Sequence, residues 1–273
     1  MATGSKYTGD VPFNNLSSTE ETKDTLRQWS KRIQAAKSIV IAGSGPTGVE
    51  IAGELGDEYA SRGLKEITLI ASGDLPLPPQ LSQNVRRAAK AGLEKLKVKV
   101  LVNTKVTGTA TEAGGQTVLE LNGGKQTVKA DLFIPAFGFV PNTSFVPPAM
   151  LDTSGRIKQN LYLQAEGHGN IFVVGDAGNL EERTGLNGER QIQHLVKIID
   201  AELLGQGVEG AGEYKIDPKI MMGVSLGKTG GTGQVGTWRL WSFLIWFAKS
   251  RYLGTDYAHA FVKGERTLQV KSW

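Results

Sequence analysis

The sequence contains no cysteine. This absence excludes structural disulfides, thiolate metal ligands, cysteine nucleophiles and the Cys-x-x-Cys redox pair, so any electron transfer must use a bound cofactor. Histidine is nearly as scarce, and His168, His194 and His259 show no metal-ligand spacing. We therefore expect no metal site, and we interpret His194 as an ordinary helix residue rather than a catalytic group.

Long apolar runs are missing as well. No stretch approaches the ~20 residues that span a bilayer, and the N-terminal MATGSKYTGDVPFNN has neither the apolar core of a signal peptide nor the arginines of a transit peptide. The 31 basic and 27 acidic residues are interspersed rather than grouped, which argues against a nucleic-acid partner. These features predict a cytoplasmic protein, and 273 residues with 40% hydrophobic content suit a sizeable core.

The chain does contain a strand, a glycine loop, a helix and a second strand in close succession. Residues 18–37 carry the N-cap and first-turn acids of a preceding helix. An apolar run at 38–43 and a β-branched run at 66–72 predict strands on either side of a helix over 48–63. This order, completed within about 35 residues, predicts a βαβ unit.

Alternating apolar and polar runs come next along the chain. After a second helix over 81–96 and a strand over 97–102, such runs continue through 105–138 between glycine-rich turns. They predict a small antiparallel insert with Asn122-Gly123 as a hairpin turn.

The second half of the chain carries weaker signals. Its pattern predicts a strand pair from residue 155, a helix over 188–205 and two short strands around a glycine turn over 220–236. A buried strand is predicted within 167–179, and it ends abruptly at Gly175-Asp176. A carboxylate at a strand end is suited to bind a ligand, although Gly-Asp also occurs as a plain turn.

The glycine loop is the most specific motif. Gly43-x-Gly45-x-x-Gly48 lies between a predicted strand and its helix, which is the context of a dinucleotide-binding loop. Gly43 permits a tight turn, Gly45 lets the backbone approach a diphosphate, and Gly48 lets the helix pack against the strand. The helix N-terminus adds N–H groups and a positive dipole. A tight turn without a ligand is the alternative. We predict that NAD(P)H binds the six consecutive loop residues: Gly43, Ser44, Gly45, Pro46, Thr47 and Gly48.

The choice between NADH and NADPH stays open. An acid at the end of the second strand would bond the ribose 2′-hydroxyl. That strand ends instead in Ala71 and Ser72, so Ser72 is the predicted cofactor contact at this position. Arg86 and Arg87 could neutralise a 2′-phosphate or lie on a solvated helix face.

Glu50 follows the loop by two residues and has two interpretations. It could complement the dipole at the helix start. It could also place a carboxylate near the nicotinamide, which makes it the candidate catalytic residue.

Three motifs in a fixed order, VIAGSGPTGVEIAGEL, ADLFIPAFGFVPNT and NIFVVGDAGN, resemble those of the pyridine-nucleotide flavoprotein oxidoreductases. The chain is most similar to the apoptosis-inducing-factor-like, mitochondrion-associated group that includes ferroptosis suppressor proteins. The resemblance implies an α/β fold with a Rossmann-like NAD(P)-binding domain, an incomplete FAD-type domain and a small α+β C-terminal region. It divides the chain into four segments: 1–30 and 156–212 of FAD type, 31–155 for NAD(P), and 213–273 at the C-terminus.

The same resemblance implies an activity and residue roles. In the family, NAD(P)H reduces FAD, which reduces a quinone or a small organic acceptor. The three loop glycines then belong to the NAD(P)H site, and Gly175 and Asp176 would hold the flavin ribityl chain. Gly138 closes a second motif of Ala-Thr-Gly type, in which Phe137 stands at the threonine position, and Gly138 is a further predicted cofactor contact.

One departure from the family pattern concerns the flavin. Family members begin with a further strand, glycine loop and helix for the FAD diphosphate, whereas this sequence starts with MATGS, which resembles the motif that follows that unit. We therefore expect weak FAD binding or none. The alternative function is a truncated or repurposed member, either an NAD(P)H-binding protein or a non-redox cyclase or isomerase in a biosynthetic pathway.

The aromatic segment (residues 237–254, TWRLWSFLIWFAKSRYLG) combines three tryptophans with basic residues. A helix that is apolar all round is typical of a protein core or a homodimer interface. Tryptophan with basic flanks is also typical of a bilayer surface. The second interpretation predicts peripheral contact with the mitochondrial outer membrane or another lipid surface.

Overall fold

The computed structural model describes residues 1–13, 18–256 and 258–265. They form two compact units. The sheet unit comprises the described residues of Thr8–Gly138 and Lys219–Gly254, and the terminal unit comprises Met1–Tyr7, Phe139–Pro218 and the described residues from Thr255 onward. The four-segment division predicted above stays a prediction.

The strands are short, and their bounds are β1 Ser5–Tyr7, β2 Ser38–Ala42, β3 Glu66–Ile70, β4 Lys99–Leu101, β5 Val106–Thr111, β6 Thr117–Leu121, β7 Gln126–Ala130, β8 Leu132–Pro135, β9 Phe139–Pro141, β10 Gln164–Ala165, β11 His168–Phe172, β12 Met221–Ser225, β13 Gly231–Val235 and β14 Trp238–Leu240. The helices are α1 Thr19–Ala35, α2 Pro46–Glu58, α3 Gln83–Lys95, α4 Gly185–Leu203, α5 Ser242–Ile245 and α6 Ala258–Val262. Single 3-10 turns lie at Ala60–Arg62, Pro148–Met150, Gly175–Ala177 and Val208–Ala211, and Trp246–Ser250 is π-helical.

The predicted helix from residue 18 is confirmed. Ser18 caps α1: its side chain accepts a hydrogen bond from the backbone N–H of Glu21, and the Glu21 side chain accepts one from the N–H of Ser18. This reciprocal capping satisfies two backbone donors that a helix start leaves without a partner. The helix buries Trp29 against the core of the sheet unit.

The sheet unit is built on a four-stranded parallel sheet in the order β4-β3-β2-β8. Its central strands bury Ile39 and Ile41 of β2 and Ile67 and Leu69 of β3, each at 2% exposure or less. Burying each such side chain contributes roughly 1.5–3 kcal/mol. Strands β3 and β4 follow on one side of β2, and β8 lies on its other side. This is the Rossmann-like arrangement, and it confirms the predicted α/β fold class.

The antiparallel insert is confirmed with one correction. Strands β5, β6 and β7 pair antiparallel, and Asn122 and Gly123 turn the chain between β6 and β7 with φ of 51° and 73°. Residues 132–135, however, do not belong to the insert. They form β8, which pairs parallel to β2. This pairing buries Leu132 and Ile134 in the core of the sheet unit.

The terminal unit differs more from expectation. The predicted strand pair from residue 155 is reduced to isolated bridges before β10, because the Asn160 side chain accepts two backbone N–H groups and Leu163 takes φ of 57°. The strand predicted within 167–179 is also not fully buried, since β11 begins with three exposed residues. The predicted turn at Gly175-Asp176 is confirmed as the 3-10 turn Gly175–Ala177, but the strand itself already ends at Phe172. The predicted helix is confirmed as α4.

The aromatic segment lies outside the core, so its interpretation as a buried core helix is wrong. It contributes β14 to the sheet β12-β13-β14 and then forms α5 and the π-helical turn. Among its side chains only Ile245 and Ser250 are buried. Within the described ranges, no helix has the length and apolar character needed to cross a membrane.

Candidate functional site

The glycine loop occupies the carboxyl edge of the parallel sheet. It leaves β2 and enters α2 beside Ala136, the first residue after β8. The Gly43 N–H donates to the carbonyl of Ile70 at 3.1 Å, and the Ala136 N–H donates to the carbonyl of Ala42 at 2.7 Å. The loop therefore lies where the strand order reverses, which is where ligands bind in open α/β sheets.

The three glycines meet different surroundings. Gly43 has φ of 104°, and a Cβ there would lie 2.5 Å from the Ala136 carbonyl oxygen. A Cβ on Gly48 would lie 1.8 Å from the Gly43 carbonyl oxygen. Gly45 is different, because a Cβ would meet nothing within 4 Å. Gly43 and Gly48 are thus required by the fold, whereas the space at Gly45 is open to a ligand.

The start of α2 is suited to an anion. Gly45 is its N-cap residue, no side chain caps the helix, and its first turn carries no acidic residue. Backbone N–H groups and the positive end of the helix dipole would favour a diphosphate there. Glu50 lies beyond that first turn, so its interpretation as a dipole complement at the helix start is wrong.

The loop between β3 and α3 supports the glycine loop. The Leu77 N–H donates to the carbonyl of Ser44 at 2.7 Å, and Leu77 holds φ of 67° while buried at 4% exposure. Arg86 holds this loop in turn: its guanidinium donates to the carbonyls of Leu75, Pro76 and Leu77 at 3.0–3.3 Å. Sequence reasoning missed this role, because the carbonyl acceptors have no signature in side-chain identity.

Both interpretations of Arg86 from sequence are corrected by this arrangement. Arg86 is 7% exposed and bonds Asp74 at 2.9 Å in addition to the three carbonyls. It is therefore neither solvated nor available to a phosphate. Arg87 is exposed and donates to Gln83 at 2.8 Å. Ser72 is exposed just beyond the end of β3.

Glu50 contacts the hairpin of β12 and β13 and the π-helical turn that follows it. Its carboxylate forms an ion pair with Lys249 at 2.6 Å and accepts the Ser225 N–H at 3.1 Å. Lys249 also donates to the carbonyl of Gly223 at 2.9 Å. The catalytic role of Glu50 stays a prediction, and its partner Lys249 could not be found from sequence because 198 residues lie between the two.

Glu54, one turn further along α2, was not singled out from sequence. One of its carboxylate oxygens is buried without a hydrogen-bond partner. Burial raises the pKa of Glu54, the charges of Asp57 and Glu50 raise it further, and Lys228 lowers it. This environment favours the protonated form.

Asp176 lies in the terminal unit, in the 3-10 turn after β11. Its carboxylate accepts a hydrogen bond from the Ser5 hydroxyl at 2.6 Å, and the preceding Gly175 has φ of 72° and donates its N–H to Gln191 at 2.8 Å. The structure thus brings Asp176 against the residue that follows the N-terminal Ala-Thr-Gly motif. His194 bonds the Gly212 carbonyl at 3.1 Å.

Gly138 belongs to the sheet unit, and local packing explains why this position holds a glycine. Its φ is 75°, and a Cβ would lie 2.0 Å from the Thr8 hydroxyl oxygen. Its carbonyl accepts the Thr8 N–H at 2.8 Å. Phe137 beside it is 46% exposed. Cofactor contact at Gly138 stays a prediction.

The two cofactors fit the described residues unequally. The open space at Gly45 and the uncapped helix start suit the diphosphate of NAD(P)H. For FAD the terminal unit offers Asp176, but its described strands form only two antiparallel pairs, β1-β9 and β10-β11. These pairs provide no parallel sheet edge for a second diphosphate, so the described residues do not fit FAD. No group of three metal-ligating His, Asp or Glu side chains occurs in the described part of the chain.

Comparison with known proteins decides the family. The sequence profile of pyridine nucleotide-disulphide oxidoreductases matches residues 1–197. The chain belongs to this family. The predicted resemblance is confirmed, and the matched range of this oxidoreductase family member contains both the glycine loop and Asp176.

Three relatives illustrate the relationship. Oxidoreductase ptaL of Pestalotiopsis fici is 38% identical over 245 residues, covering 90% of this chain and 64% of that protein. Ferroptosis suppressor protein 1 of Xenopus tropicalis is 30% identical over 92% of this chain and 67% of its own length. FAD-dependent oxidoreductase FVFD30 of Flammulina velutipes is 30% identical over 91% and 75%. The chain thus spans about two thirds of the length of the first two relatives.

Proposed function

We propose that this chain is an NAD(P)H-dependent oxidoreductase that contributes the NAD(P)H site to the family reaction, in which electrons pass from NAD(P)H via FAD to a quinone or a small organic acceptor. The observation that carries the proposal is the glycine loop at the carboxyl edge of the parallel sheet, with open space at Gly45. The names of relatives support the redox assignment, and one relative is named FAD-dependent.

The residues of this chain would bind and orient the nicotinamide dinucleotide. Backbone N–H groups at the start of α2 hold the diphosphate, while Gly43 and Gly48 keep the turn tight. Arg86 and Leu77 hold the loop carbonyl of Ser44 in place. The ion pair with Lys249 keeps the Glu50 side chain in one orientation, as a residue near the nicotinamide requires.

FAD supplies hydride acceptance and electron transfer to the acceptor when it is bound to a member of this family. Because the described residues do not fit the FAD diphosphate, we propose that the isolated chain binds FAD weakly or not at all. This observation favours a second candidate function, an NAD(P)H-binding protein without flavin chemistry. The absorbance of the purified chain in the flavin bands separates the two: stoichiometric flavin contradicts weak binding, and a colourless protein favours the second candidate.

Dinucleotide binding is tested by calorimetry with NADH and with NADPH. Gly45→Val is expected to lower affinity at least about tenfold, because a side chain fills the space for the diphosphate while φ of −65° tolerates it. Gly114→Val is the matched control, since a Cβ there also meets nothing within 4 Å. Equal affinity of both variants, or no heat with either coenzyme for the wild type, would overturn the proposal. A homodimer remains a further proposal, tested by sedimentation.

A further inference from the structure

The aromatic segment presents large apolar side chains to solvent. The exposed fractions are 80% for Trp238, 70% for Trp241, 58% for Phe243 and 69% for Phe247. Soluble surfaces seldom expose so many large side chains together, and such patches mark interaction sites. The patch belongs entirely to the sheet unit.

The buried side of the aromatic segment is attached to the rest of the sheet unit. Ile245 is 4% exposed and lies against the backbone of Gly231 and Gly233, where added Cβ atoms would come within 2.3 Å and 2.9 Å of its side chain. The Ser250 hydroxyl donates to the Gly230 carbonyl at 2.8 Å. The Lys249 ion pair adds a third attachment. The helical part of the aromatic segment is therefore attached to the sheet unit at three positions, Ile245, Lys249 and Ser250, while its aromatic side chains face solvent.

The charges in the segment have one sign. Residues 237–254 contain Arg239, Lys249 and Arg251 and no acidic residue. Arg239 and Arg251 are exposed, and the Arg251 guanidinium lies 4.6 Å from the centre of the Tyr252 ring. Tryptophan rings prefer the headgroup level of a bilayer, and arginines beside them attract anionic lipid.

We propose that the aromatic segment docks this protein onto the surface of an anionic lipid bilayer. Trp241 and Phe247 enter the boundary between headgroups and acyl chains, while Arg239 and Arg251 bind lipid phosphates. An apolar protein partner would also suit the aromatic rings, but the complete lack of acids favours a surface of uniform negative charge. The proposal does not rest on the redox activity, because vesicle binding is measured without nicotinamide or flavin.

Flotation of the full chain with vesicles tests this proposal. We expect the wild type to float with vesicles of phosphatidylcholine and phosphatidylserine in equal amounts, and the double variant Trp241→Ser/Phe247→Ser to bind at least about tenfold less. Phe145→Ser is the control, because Phe145 is 62% exposed outside the segment. Arg239→Glu/Arg251→Glu is expected to lose the preference for phosphatidylserine over pure phosphatidylcholine.

A second measurement needs no variant. Brominated lipids in the same vesicles are expected to quench the tryptophan fluorescence of the wild type, since three of its five tryptophans lie in the segment. The proposal is overturned if the wild type does not float, if the double aromatic variant floats equally well, or if brominated lipid leaves the emission unchanged. Self-association through this segment without vesicle binding would point to a second copy of the chain and also overturn it.

Discussion

The guanidinium of Arg86 donates to the backbone carbonyl of Leu77 at 3.3 Å, and Leu77 in turn donates its N–H to the glycine loop at Ser44. A buried cation on α3 thereby positions a loop whose left-handed residue, Leu77, supports the glycine loop. Because a lone arginine reaches three consecutive carbonyls, no shorter cation can replace it.

Replacing Arg86 by Met is therefore expected to act on both stability and binding. The orphaned carbonyls lower the free energy of unfolding by about 2 kcal/mol, and the affinity for NADH falls roughly tenfold because the glycine loop loses its support. Urea unfolding and calorimetry measure the two effects. Arg87→Met, on the exposed side of the same helix, is expected to change neither. Unchanged affinity in a destabilised but folded Arg86→Met protein would restrict Arg86 to a structural role.

Glu54 makes the stability of the sheet unit fall with rising pH. Its pKa is raised in the folded protein above the ordinary value of 4.5, so the folded state binds more protons than the unfolded state within the window between the two values. The part of the stability that Glu54 contributes through its raised pKa is fully present below the unfolded pKa. This contribution is lost as the pH rises through the folded pKa. We expect Glu54→Gln to be more stable than the wild type near neutral pH.

Urea unfolding across the acidic and neutral range measures the Glu54 effect. The difference between Glu54→Gln and the wild type is expected to shrink as the pH falls towards the ordinary carboxyl pKa. Glu66→Gln, on an exposed position of β3, is the control and should track the wild type. A Glu54→Gln advantage that grows on acidification would contradict the assignment.

Asp131 has the opposite effect on how stability depends on pH. Hydrogen bonds from the Gln116 amide and from the backbone N–H groups of Ser38 and Lys37 lower its pKa to about 2. The stabilisation is present above the unfolded value of 3.8 and is lost as the pH falls from there towards 2. Asp131→Asn should therefore be less stable than the wild type near neutral pH, and the difference should vanish at strongly acidic pH. Parallel acid-unfolding curves for the two proteins would refute this.

The sequence by itself determined the local features of this protein. Ser18 and Glu21 predict their helix start because capping involves only four neighbouring residues. Asn122-Gly123 predicts its turn because few residues tolerate positive φ. The glycine loop is equally local, since its spacing predicts a tight strand-to-helix turn, and within that turn Gly43 and Gly48 lack room for a side chain.

Only the tertiary structure decided the relationships between distant segments. Leu132–Pro135 joined the parallel sheet, Lys249 paired with Glu50, and Arg86 turned inwards to carbonyls. Within the aromatic segment, Ile245 lies against Gly231 and Gly233, whereas Trp238, Trp241 and Phe247 stay exposed. These outcomes depend on which surfaces meet when the chain closes over long loops, and residue identities along one segment carry no information about its partner.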